Sequence, residues 1–116
     1  MHNFRKLDIW VKSMDLVTDI YRVTNAFPNQ ERFGLTSQMQ RSAVSIPSNI
    51  AEGSAKSSNK DFSRFLEMLI GSLFELETQL ILATRLNYIE SEVSISTLNK
   101  INELQKMIIG FKNKLD

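Results

Sequence analysis

One stretch gathers most of the residues that could do chemistry: Arg41–Phe62, RSAVSIPSNIAEGSAKSSNKDF. Its GSAKSSNKD segment has one glycine and lacks the second that a P-loop or dinucleotide fingerprint requires. It precedes a helix, however, and the free amides and dipole of a helix N-terminus favour anions. Lys56 and Lys60 add charge there, and Arg41 and Arg64 flank them in sequence. Arg41, Lys56, Lys60 and Arg64 are therefore the candidate nucleic-acid-binding residues. The competing reading is an ordinary solvated surface. Asn49 and Glu52 read as structural instead, taking up backbone groups freed at Pro47, with Gly53 opening the turn.

Other chemistries find less support. His2 is the single histidine and there is no cysteine, so thiolate zinc sites, cysteine nucleophiles and the Glu-x-x-His pairs of di-iron bundles are absent. Serines are common, but a serine nucleophile needs an adjacent base. Glu67, Glu75 and Glu77 could hold magnesium and so support a hydrolase. Glu75 and Glu77, two residues apart, point away from each other on a helix, which favours solvated or capping roles. Lys100, Lys106, Lys112 and Lys114 read as a solvated face, because Glu103 and an apolar stripe dictate their direction. No catalytic residue, metal or cofactor is expected.

The elements that position these residues are helices. Helix 1 spans Asp8 to Ala26, with Leu16, Ile20, Val23 and Phe27 at spacings of four and three and a second stripe of Trp10, Met14, Val17 and Tyr21. Pro28 ends it. Helix 2 runs from Thr36, as N-cap, to Glu52. Leu35, Met39, Ala43, Ile46 and Ile50 keep helical spacing through Pro47. Proline removes a backbone bond and clashes with the preceding turn, at about 3 kcal/mol in a plain helix, so the helix either kinks there or stops. The unbroken spacing favours the kink. Ser58, three residues before Asp61, resembles a capping box.

Helix 3 covers Asn59 to Leu86, its seam Phe62, Leu66, Leu69, Leu73, Leu76, Leu80 and Ala83 stepping by four and three. After the turn NYIESEVS, helix 4 runs from Ser96 to Lys114. Short connections make sequential helices antiparallel. The expected fold is all-α, an up-down-up-down four-helix bundle with helix 2 kinked at its proline.

A chain of 116 residues makes one domain, 1–116. With 14 basic against 13 acidic residues, binding to a polyanion must come from local patches. MHNFRKLDIW has no apolar signal-peptide region, and no uncharged run approaches the ~18 residues of a membrane span. With the missing cysteines, this points to the cytoplasm. Helices 1 and 3 carry more apolar surface than one packed edge consumes, Phe65, Ile70, Phe74 and Ile81 lying off the helix 3 seam. Monomers rarely expose large apolar patches, so self-association is expected.

NFRKLDIW, FGLTSQMQRSAVSIPSNIAEGSAKSSNKDFSRFL and GSLFELETQL together resemble the 23S rRNA intervening-sequence protein family, strongly over Asn3 to Leu86 and by pattern in helix 4. Gly34, Arg41, Pro47, Asn49, Glu52, Gly53, Phe62 and Phe65 match its motif. The resemblance implies a bacterial four-helix bundle assembled into a ring-like homopentamer, without enzymatic activity. Its relatives include the accessory protein of diversity-generating retroelements, which is basic and binds nucleic acid and a reverse transcriptase. The implied partners are further copies of itself and RNA or a nucleic-acid-processing protein, with no membrane. A scaffold that binds protein alone is the alternative. The chain departs from the basic relative in its net charge of only +1, against strong nucleic-acid affinity.

Overall fold

The structure, a computed structural model, describes residues 1–116. It contains four helices: α1 (Asp8–Thr24), α2 (Leu35–Ser54), α3 (Asn59–Arg85) and α4 (Ser91–Leu115). Each packs on its two sequence-ordered neighbours, and α4 closes the ring onto α1. The chain measures 43 × 24 × 20 Å, and its long axis matches the roughly 40 Å of α3.

Contacts at the two ends show how the chain alternates. At one end the His2 ring lies edge-on to Phe62 and Phe111, with centroids 5.1 and 6.3 Å away. The His2 amide donates to the Ser54 carbonyl at 2.9 Å. That end thus collects the start of α1, the end of α2, the start of α3 and the end of α4. At the other, Phe27 stacks on Tyr88 at 5.4 Å, joining the two remaining connections.

The α3 seam fills the interior: Phe62, Leu66, Leu69, Leu73, Leu76, Leu80 and Ala83 are all fully buried. They pack against Leu16 and Ile20 of α1, Met39, Ala43, Ile46 and Ile50 of α2, and Ile101, Leu104 and Ile108 of α4 in one cluster. Fully burying side chains of this size stabilises the fold by about 1.5–3 kcal/mol each.

Several boundaries differ from expectation. The N-cap of α2 is not Thr36: the helix starts at Leu35, flanked by Gly34, and Thr36 lies inside its first turn. Glu31 supplies the capping acceptor, its Oε1 taking the Leu35 amide at 3.2 Å. A Cβ on Gly34 would stand 2.8 Å from that oxygen, so glycine leaves room for the carboxylate to fold over the helix end. At its other end, α2 runs to Ser54, and it is one continuous helix through the buried Pro47. Ser58 caps α3, its Oγ accepting the Asp61 amide at 3.1 Å.

Helix α4 begins at Ser91, five residues before the expected Ser96. Its first turns bury hydroxyls, Ser94 and Thr97, and turn Val93 and Ile95 outward. The apolar pattern there marks the wrong face. Ser94 Oγ lies 2.7 Å from Thr84 Oγ of α3, and Thr97 returns its hydroxyl to the Val93 carbonyl. The reversal before it is set by Asn87 at φ 64°. Tyr88 and Asn87 donate to the Ala83 and Thr84 carbonyls, the paired bonds of a Schellman motif with asparagine in the left-handed position.

Candidate nucleic-acid interface

The basic residues singled out from sequence spread over three places. Arg41 lines a shallow groove between α1 and α2 with Tyr21, Gln40 and Val44. It precedes Gly53 by twelve residues on one helix, or about 18 Å, so it stands apart from the connection. Lys56 lies over the Phe65 ring, its Nζ 5.2 Å from the centroid. Lys60 and Arg64 share a groove with Ser63, Glu67 and Asp116, a lining with two carboxylates.

The structural residues of the hinge divide as well. Asn49 Nδ2 donates to the Ser45 carbonyl at 2.7 Å, while the Glu52 side chain is exposed. The acceptor that a proline at 47 deprives of its helical donor is the carbonyl four residues back, at Ala43. Asn49 therefore serves a neighbouring carbonyl rather than that one. Gly53 is buried against α3, where a Cβ would stand 2.7 Å from Phe65 Cβ.

Helix 3 does not bring its carboxylates together. Glu75 Oε1 accepts from Ser42 Oγ of α2 at 2.6 Å, and Glu77 Oε1 accepts from Gln105 Nε2 of α4 at 2.7 Å. Glu67 lies beside Lys60 and Arg64. No group of three or more His, Asp or Glu side chains is placed to hold a metal.

The fold reveals a charge pattern that the near-neutral total conceals. The end where the segment before α1, the α2–α3 connection and the end of α4 meet holds eight of the 14 basic residues: Arg5, Lys6, Lys56, Lys60, Arg64, Lys106, Lys112 and Lys114. Only five of the 13 acidic residues are there: Asp8, Glu52, Asp61, Glu67 and Asp116. The remainder of the bundle is net acidic. At the waist, Lys12 and Glu103 pair at 2.8 Å, as do Lys100 and Asp19. The hydrogen bond between Lys12 and Glu103, and then their charges, raise the lysine's pKa and lower the carboxylate's.

The helix 4 lysines likewise fall into two kinds. Lys100 and Lys112 are ion-paired, the latter to Asp116 at 2.9 Å. Lys106 and Lys114 form no ion pair and line, with Lys6, a groove of about 430 Å³ between α4 and the start of α1. Sequence reading passed over this trio because Lys6 is a hundred residues away. The signal present in the sequence is Lys106, Gly110 and Lys114 at a spacing of four, one line on a helix.

The exposed apolar side chains include two groups on opposite flanks. On α3, Ile70, Phe74 and Ile81 form a stripe around Glu77, and Phe74 is 55% exposed. The Glu77–Gln105 bond joins this stripe to α4, where Ile95 and Ile109 are also exposed. On the opposite flank, Met14 and Tyr21 of α1 and Val44 of α2 are exposed, the latter two sharing the Arg41 groove.

Comparison with known proteins agrees with this architecture. A family model described as 23S rRNA-intervening sequence protein matches residues 5–110. A crystal structure of a protein of unknown function from the S23 ribosomal protein family of Bacteroides thetaiotaomicron superposes with a TM-score of 0.83 at 28% identity, covering 90% of this chain and 95% of that one. No protein of curated function matches. None of the helices is long and apolar enough to cross a membrane.

Proposed function

Because this chain belongs to the 23S rRNA-intervening sequence protein family, we propose that it is a non-enzymatic, self-assembling bundle in the cytoplasm that binds RNA through the basic end of each copy. The observation that carries this reading is the uneven charge: a chain of net charge +1 concentrates its cations at one end. Neutralising phosphates dominates affinity for nucleic acid, and a local surplus does this whatever the total charge.

The apolar flanks support assembly. They lie on opposite sides of the bundle, α1/α2 against α3/α4, and their residues differ. Two unlike surfaces on opposite sides suit a head-to-tail contact, which closes into a ring when the rotation permits. Cyclic symmetry then turns every basic end to the same side, so that the weak charge of one copy is multiplied. A homopentamer is the ring size implied by the family resemblance.

The test is anisotropy of a fluorescent single-stranded RNA titrated with the full chain at 50 and 200 mM salt, alongside light scattering of the protein alone. The expected result is an oligomer whose RNA affinity falls steeply with salt. An oligomer that ignores RNA at 50 mM salt would establish the protein-only scaffold instead, and a monomer would remove the ring.

A further inference from the structure

We propose that the groove between the start of α1 and the end of α4 seats the RNA strand, with Lys6, Lys106 and Lys114 holding its phosphates. This rests on the RNA-binding reading above and names the surface responsible, which differs from the hinge set Arg41, Lys56, Lys60 and Arg64.

Three observations single the groove out. Its three lysines are exposed and hold no ion pair, whereas Lys100 and Lys112 nearby are each bound to a carboxylate. Asp8 is the one acidic residue in the lining. By contrast, the groove at Lys60 and Arg64 has two carboxylates in its lining, Glu67 and Asp116.

The floor is apolar, with Leu7, Ile9, Met107 and Phe111. Gly110 lies between the two α4 lysines, and a Cβ there would meet nothing within 4 Å. The line from Lys106 to Lys114 is therefore open along its length. It covers about 12 Å of helix. Cationic walls over an apolar, partly aromatic floor match the chemistry of single-strand binding, in which the walls track the backbone and the floor takes ribose and base faces. In a cyclic assembly the groove recurs once in every copy, facing the same side.

The experiment compares three full-length proteins by anisotropy with a fluorescent single-stranded RNA oligonucleotide across a salt series. They are wild type, the triple variant Lys6→Gln/Lys106→Gln/Lys114→Gln, and the quadruple variant Arg41→Gln/Lys56→Gln/Lys60→Gln/Arg64→Gln. The triple variant should bind at least tenfold more weakly and lower the salt slope by about 2, from roughly 0.7 for each of three single-strand phosphates. The quadruple variant should lose much less. A fourth protein, Gly110→Glu, places a carboxylate in the open groove and should also weaken binding without removing a lysine. If the triple and Gly110→Glu variants bind as wild type while the quadruple variant fails, the groove is overturned and the RNA-binding reading survives at the hinge. If wild type itself leaves RNA free at 50 mM salt, both fall together.

Discussion

Gly53 and Phe65 meet between α2 and α3 with no room for a methyl group between them. A Cβ built on Gly53 stands 2.7 Å from Phe65 Cβ and 2.9 Å from Phe62 Cδ1. The first of these atoms is anchored directly to the α3 backbone, so the helices rather than a side-chain tip must move. Gly53→Ala should destabilise the fold by about 1–3 kcal/mol through overpacking, even though alanine has the better helix propensity by up to ~1 kcal/mol. Gly71→Ala, whose Cβ meets nothing within 4 Å, should instead stabilise by about 0.5–1 kcal/mol. Urea unfolding of both variants checks the pair, and an unfolding midpoint for Gly53→Ala above that of wild type contradicts it.

The opposite end is latched by one carboxylate. Glu31 accepts from the Leu35 amide with Oε1 and from the Tyr88 hydroxyl with Oε2, the latter at 2.9 Å. The hydrogen bond to Glu31, then desolvation and the carboxylate's charge, raise the Tyr88 phenol above its ordinary value of 10.0. The folded state therefore holds this proton more tightly than the unfolded chain. Its contribution to stability is complete below pH 10 and is lost as pH rises from there through the raised folded value. Stability measured against Tyr88→Phe should show a difference that shrinks across this alkaline window. A difference that grows with pH has the wrong sign for the latch.

Head-to-tail assembly can be tested by mixing. Phe74→Glu spoils the α3/α4 flank and Tyr21→Glu the α1/α2 flank, and both side chains are exposed in one copy, so each variant should fold. Alone, each should scatter light as a monomer. Mixed in equal amounts, they retain one intact contact between them and should form a dimer that does not extend. Two variants that stay monomeric when mixed, from an oligomeric wild type, contradict the unlike-surface contact.

Asn87 is the residue with a left-handed backbone outside glycine, at φ 64°. Other side chains pay about 1–2 kcal/mol for this conformation. Asn87→Val should destabilise by at least that amount, while Asn87→Gly should be neutral or slightly stabilising. Thermal melting of the two variants separates them, and equal losses for both would place the constraint elsewhere.

Sequence and fold can be compared residue by residue. Strict spacing in α3 foretold its seven seam residues, all of which are buried, because a period near 3.5 leaves one buried face. Ser58 was legible as a cap because it precedes its acceptor's partner by three residues, a purely local relation. The start of α4 was illegible for the converse reason: its buried positions are Ser94 and Thr97, whose hydroxyls find partners on Thr84 and on their own helix. Glu31 was missed as the α2 cap because it reaches forward from a preceding turn that only the folded connection defines.

The amino-acid order alone determined that this chain is four helices with one apolar seam apiece, since helical periodicity and proline chemistry act within a few residues. It also determined that hydrocarbon remained after those seams were filled. Which lysines stand together was decided by tertiary structure. Lys6 meets Lys106 and Lys114 only when α4 folds back onto α1, and Arg41, close to Lys56 on paper, is carried away by the rise of its own helix. Electrostatic fields depend on distance in space, and folding sets those distances.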